Sequence, residues 1–170
     1  HATAGHPDEA AKVYVRVVKT CTKDADRLAA LYEARSLLPR DAFVALISED
    51  LNLSSAAGRS GLEKIRYELK TQDVPLAYDR KDYAGASSAA EAQSDEVVKR
   101  RDVATATLAG WSYYQLEQWD KVEQWLKRAL TWRPDSLDAN YLLALTRFRT
   151  GHLKEAKTVA TALPRDDPRR

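Results

Sequence analysis

The chain has 170 residues, 44% hydrophobic and 31% charged, with a formal net charge of +2. That length suits one domain with a sizeable core or a short repeat array, and the near-balanced charge lacks the basic footprint of a nucleic-acid binder. The single Cys21 excludes an internal disulfide and a multi-cysteine zinc site, and no run of 18 apolar residues offers a membrane-spanning helix. A chain that begins at His1 and contains no methionine is expected to be a piece of a longer protein.

Gly5-His6-Pro7 reads as a turn, with Pro7 fitting a first helical turn and Asp8 and Glu9 favoured by the helix dipole. Ala10, Val13, Tyr14, Val17 and Val18 then recur at three and four, which predicts one apolar helical face. Thr22 to Leu38 is a second helix, with Asp24 as N-cap and Leu28, Leu31, Tyr32, Leu37 and Leu38 on its face. Pro39 stops or kinks it. Asp41 to Leu51 supplies Phe43, Val44, Leu46 and Ile47 to a short third helix, and Asn52 to Ser55 forms a loop.

Ser60 to Thr71 reads as a fourth helix with Leu62, Ile65, Tyr67 and Leu69. Asp73-Val74-Pro75 restarts the chain into a short fifth helix, Leu76 to Arg80. Lys81-Asp82-Tyr83 turns it into a sixth, Ala84 to Val98. The alanines of that sixth element, Ala84, Ala86, Ala89, Ala90 and Ala92, favour helix over a flexible linker. Strand patterning is absent from the sequence, and short helices with short connections suit antiparallel helical hairpins.

A spacing of 34 residues organises the C-terminal half. From Val103, the positions Ala109, Gly110 and Tyr113 fall on a first helix and Val122, Leu126, Ala129 and Pro134 on a second. From Leu137 the same places carry Leu143, Ala144 and Arg147, then Ala156, Ala160, Leu163 and Pro168. Glu117 and Gly151 share the turn between helices. Small residues at the matched positions let two backbones approach, and proline ends each unit.

This pattern resembles the tetratricopeptide repeat family, with Val122 where the family favours alanine and Arg147 where it favours tyrosine. The resemblance covers residues 103–163 well, residues 76–98 and 5–18 in part, and residues 28–71 poorly. It implies an all-α fold of antiparallel helix-turn-helix pairs, stacked as a right-handed tetratricopeptide-like solenoid that is irregular in the middle. The expected organisation is a single repeat domain over residues 1–170. Within it lie a partial repeat at 1–20, irregular helices at 22–72, a divergent repeat at 74–101 and clear repeats at 103–136 and 137–170.

Such repeats line a groove with their first helices. Carried over by position, the partner-binding candidates are Thr107, Trp111, Tyr114 and Gln115, then Asp138, Tyr141, Leu145, Phe148 and Arg149. Aromatic and mixed polar groups make protein hot spots and also stack on sugars. Packing and binding roles are equally compatible with each residue, whereas Trp125 and Trp132 on the second helix fit packing better. The basic clamp that some members close on a partner's terminal carboxylate is missing, since Thr107, Trp111, Asp138 and Leu142 occupy those places.

His1, His6 and His152 are too scattered for a metal site. Gly58-Arg59-Ser60-Gly61 lacks the lysine and preceding strand of a phosphate loop. The residues therefore point to no catalytic site, no metal and no cofactor. The expectation is a scaffold that binds another protein, with polysaccharide binding along the aromatic groove or a cytosolic adaptor as alternatives. The Gly110-Trp111 and Trp132-Arg133-Pro134 texture resembles repeat scaffolds of bacterial exopolysaccharide secretion, implying a periplasmic or envelope location.

Overall fold

A computed structural model describes residues 7–49 and 51–164; Gly5, His6 and Pro168 of the repeat alignment lie outside them. Among the described residues the secondary structure is entirely helical. The helices are α1 (Pro7–Thr20), α2 (Asp24–Leu37), α3 (Arg40–Ser48), α4 (Ala56–Thr71), α5 (Asp73–Asp79), α6 (Tyr83–Ala92), α7 (Ser94–Arg100), α8 (Val103–Gln115), α9 (Trp119–Trp132), α10 (Leu137–Arg149) and α11 (Leu153–Ala162). The chain divides into two compact units, residues 1–68 and 69–170.

In the first unit α1 and α2 pack as a hairpin. The apolar face of α1 is rotated from its expected position: Ala10, Ala11 and Val18 are buried, whereas Val13 is 57% exposed. With Ala10 and Ala11 both on the buried side, Val13, two positions further round the helix, falls on the outer side. On α2 the buried residues are Ala30, Leu31 and Ala34, with Tyr32 exposed. Asp24 is the first helical residue of α2 rather than its cap. Its carboxylate instead accepts a 2.6 Å bond from the Ser55 amide at the start of α4. Those Ser55 bonds hold the Asp24 carboxyl below its ordinary range. Ser55 in turn accepts from the Gly58 amide, so α4 begins at Ala56 rather than Ser60.

Arginines close the helix ends of this unit. Arg27 donates to the Val18 carbonyl at 2.8 Å, and Arg66 donates to the Ile47 carbonyl through Nε and Nη2. Gly61 meets Leu28, whose Cδ1 would lie 2.6 Å from a β-carbon there. Glycine at that position serves helix contact, not phosphate binding.

The second unit is a stack of helical hairpins. Here α5 packs on α6, α6 on α8, α8 on α9, α9 on α10 and α10 on α11, with α5–α8 and α8–α10 contacts linking alternate helices. The helices α8 and α10 start 34 residues apart, at Val103 and Leu137, as do α9 and α11, at Trp119 and Leu153. Pro75 does not interrupt α5, because it stands in the first turn, where no intrahelical amide bond is lost. The expected sixth helix is two: the Ala-rich segment ends at Ala92, and α7 restarts at Ser94 after Gln93.

Four chain reversals share one left-handed device, at Lys81, Arg101, Glu117 and Gly151, with φ of 62°, 51°, 57° and 82°. At each, the residue's amide bonds the carbonyl three back, and the next amide bonds the carbonyl five back from itself. The pairs are Lys81 to Tyr78 with Asp82 to Ala77, and Arg101 to Val98 with Asp102 to Val97. They recur as Glu117 to Tyr114 with Gln118 to Tyr113, and Gly151 to Phe148 with His152 to Arg147. Asp82 and Asp102 then cap the following helix, accepting from the Gly85 and Thr105 amides at 2.8 and 3.0 Å.

Two stability changes are expected. A β-carbon at Gly110 would sit 3.2 Å from Leu142 Cδ2 and 3.5 Å from Leu126 Cδ2. Gly110→Leu should overpack this junction and cost roughly 1–3 kcal/mol, read as a lower melting temperature. Glu117→Gly should relieve the left-handed strain and stabilise by about 0.5–1 kcal/mol, read as a higher denaturation midpoint with an unchanged slope.

Candidate functional site

The face shared by the first helices of the stack carries a continuous band of aromatic rings. On α8, Trp111 and Tyr114 meet edge to face with centroids 5.7 Å apart. Trp111 also meets Tyr141 of α10 at 6.1 Å, and Tyr114 meets Trp119 at the start of α9 at 5.5 Å. Arg149 donates through Nε to the Tyr114 hydroxyl at 3.3 Å, which raises its own pKa further. Towards α5, the Gln115 side chain hydrogen-bonds Tyr78, whose ring stands edge to face on Tyr83 at 5.3 Å. Burial pushes the Tyr78 hydroxyl pKa up, although the Gln115 bond acts to lower it.

Of the nine residues expected to bind a partner, Trp111, Tyr114, Gln115, Tyr141 and Arg149 come together in or beside this band. Asp138 is exposed in the first turn of α10. Leu145 and Phe148 line the surface between α10 and α11, which Tyr141 also borders. Thr107 must be removed from the set: it is buried, and its hydroxyl donates to the Val103 carbonyl at 2.8 Å. The reason is that α8 packs against four helices, α5, α6, α9 and α10. Most of its surface is therefore interior. Tyr78 and Trp119 belong to the band and were not among the expected residues.

Beneath the band, a polar node locks α8 and α9 onto the preceding hairpin. One oxygen of Glu91, on α6, accepts from the Tyr113 hydroxyl at 2.9 Å, Lys121 Nζ at 3.0 Å and Trp125 Nε1 at 3.3 Å. Trp125 is fully buried, so its indole N–H depends on this acceptor. Burial raises the Glu91 carboxyl, but the bonds from Lys121, Tyr113 and Trp125 outweigh it and the pKa falls. Burial and the adjacent carboxylate push Tyr113 up to about 12. An ion-paired junction follows one unit later, with its acid away from the position 34 residues after Glu91, which is Trp125. Arg147, in the place of Tyr113, pairs with Glu123 of the preceding second helix at 2.8 Å and with Glu155 of its own at 3.2 Å.

Among the described residues no group of three or more His, Cys, Asp or Glu side chains is placed to hold a metal ion. No described helix is long and apolar enough to cross a membrane.

The geometry has the marks of a repeat: equal spacing of α8 and α10 and of α9 and α11, and equal reversals between helices. Residues 113–170 match the family model described as tetratricopeptide repeat, and this part of the chain belongs to that family. No curated protein and no solved structure matches the chain.

Glu91 gives the stack a defined response to acid. A carboxyl whose folded pKa is lowered contributes stability above its ordinary value near 4.5, and that contribution is lost as pH falls through the folded value. Glu91→Gln should remove this part of the pH dependence and cost about 1 kcal/mol near neutrality, since the carboxylate is partly solvated. Melting curves between pH 7 and 3 should show the gap between wild type and variant closing at the acid end.

Proposed function

We propose that this chain is a non-catalytic scaffold that binds another protein through the aromatic face of α8 and α10. The observation that carries the reading is the contact chain of Tyr114, Trp111 and Tyr141 with Arg149 at its margin. The rings support one another and are only half-buried. They therefore offer a rigid apolar patch that loses little side-chain entropy on binding. Arg149, Gln115 and Asp138 surround it with polar groups, the composition of an interface with an apolar centre and a polar rim. Tetratricopeptide repeats bind protein partners, which supports the same choice. We take residues 1–170 as one tetratricopeptide-like array in which 74–101 form a divergent repeat; the left-handed reversals at Lys81 and Arg101 support that part of it.

A finer form of the proposal places the scaffold in a bacterial envelope, recruiting a periplasmic partner for exopolysaccharide secretion. Its support is the Gly110-Trp111 and Trp132-Arg133-Pro134 texture.

The test compares wild type with Trp111→Ala by titration calorimetry, against proteins recovered with the wild-type chain and against soluble exopolysaccharide. Loss of a central aromatic should weaken protein binding about 30-fold or more, the level of a hot spot of about 2 kcal/mol, with helicity by circular dichroism retained. Unchanged protein affinity would sink the reading. Saturable polymer binding that Trp111→Ala abolishes would transfer the face to carbohydrate.

A further inference from the structure

The left-handed reversals set a register that the aromatic face follows. Three positions before Lys81 and Glu117 stand Tyr78 and Tyr114, and two positions after them stand Tyr83 and Trp119. Each pair closes edge to face, Tyr78 on Tyr83 at 65° and Tyr114 on Trp119 at 75°. Two rings set at so steep an angle form a notch rather than a flat platform. All four rings are half-buried.

A second repetition joins the notches. Two positions before its left-handed residue, each following first helix sends a donor back to the tyrosine of the hairpin before it. Arg149 donates through Nε to the Tyr114 hydroxyl at 3.3 Å. Gln115 does the same for Tyr78, since a bond that lowers a phenol's pKa is one donated to its oxygen. Each phenol oxygen therefore accepts from inside the protein, and its own proton is left for an acceptor from outside.

The first helices α5, α8 and α10 touch in succession, and packed helices lie about 8–10 Å apart. A polyproline II segment turns once in three residues and advances about 9.3 Å in doing so. Laid across the first helices, it offers the same face to each, with every third residue at a notch. Its carbonyls have no internal donors and take the outward tyrosine protons. An α-helix has already bonded its own carbonyls, and an extended strand repeats a face about every 6.6 Å.

We propose that the aromatic face takes a proline-rich segment of its partner protein in the polyproline II conformation. The segment crosses α5 and α8, with one proline ring in the Tyr78–Tyr83 notch and another, three residues along, in the Tyr114–Trp119 notch. This rests on the reading of that face as a protein-binding site and names the chemistry of what it binds. Both notches belong to hairpins inside the stack, so the site is complete within the described residues. The prolines of the 170 residues, at positions 7, 39, 75, 134, 164 and 168, never stand three apart, so none of these residues supplies the segment.

The experiment titrates the whole chain into fluorescently labelled, end-capped oligoprolines of three, six and nine residues and follows anisotropy. Affinity should rise at least about tenfold between three and six residues, where one peptide first reaches both notches. A nine-residue Gly-Ser peptide should bind at least about tenfold more weakly than nonaproline. Tyr78→Phe and Tyr114→Phe keep each ring and remove its proton. Each should weaken nonaproline about three- to tenfold, the scale of one hydrogen bond, with helicity by circular dichroism unchanged. Nonaproline no tighter than the Gly-Ser peptide, no step with length, or full affinity in both phenylalanine variants would overturn the proposal. So would tighter binding of cellohexaose than of nonaproline, which would give the notches to carbohydrate. A protein partner weakened by Trp111→Ala while nonaproline fails to bind would overturn the polyproline assignment alone; a partner unaffected by Trp111→Ala would overturn the underlying reading with it.

Discussion

The second unit depends on the left-handed reversal. An antiparallel hairpin needs its chain turned within two or three residues, while the last carbonyls of the first helix still need partners. A single residue with positive φ does both, aiming its own amide and the next one back into the helix it ends. The same pair of bonds at Lys81, Arg101, Glu117 and Gly151 launches each following helix in an equivalent direction. Three of these places hold residues with a β-carbon, for which the left-handed region is strained by about 1–2 kcal/mol. That strain is offset by the packing each reversal makes possible, with Ala109, Val122, Trp125 and Ala129 all fully buried. The first unit has no described residue of this kind and holds its helix ends with arginine side chains instead.

Packing alone would let neighbouring hairpins slide. The polar nodes oppose this, since a shift of one turn would leave the Trp125 N–H and the Tyr113 hydroxyl without their acceptor. The aromatic face above Glu91 is positioned by the same constraint: Tyr113 is bonded one position before Tyr114 and two after Trp111. A partner would meet a surface already held in place from beneath.

Residues 103–163 were legible because a 34-residue period, small residues at close approaches and a closing proline all agree. Other parts were less so, for identifiable reasons. Pro75 reads as a helix breaker in a linear scan, yet in a first turn it breaks nothing. The division at Gln93 lies in an Ala-rich run with no local stop signal. The orientation of α1 turned on Ala11, which periodicity weighs less than Val13 although it is the one buried. Thr107 fell on the expected face of α8, but helical position does not reveal how many neighbours a helix has. Tyr78 escaped notice because its unit looked irregular, and Trp119 because it starts a second helix.

Contacts in the second unit run mainly between neighbouring helices, and α11 has α10 as its principal support. Ala156 is its one buried residue. In such a linear arrangement cohesion is a sum of local couplings between adjacent helices, so a change confined to one junction is felt chiefly by the two helices that meet there.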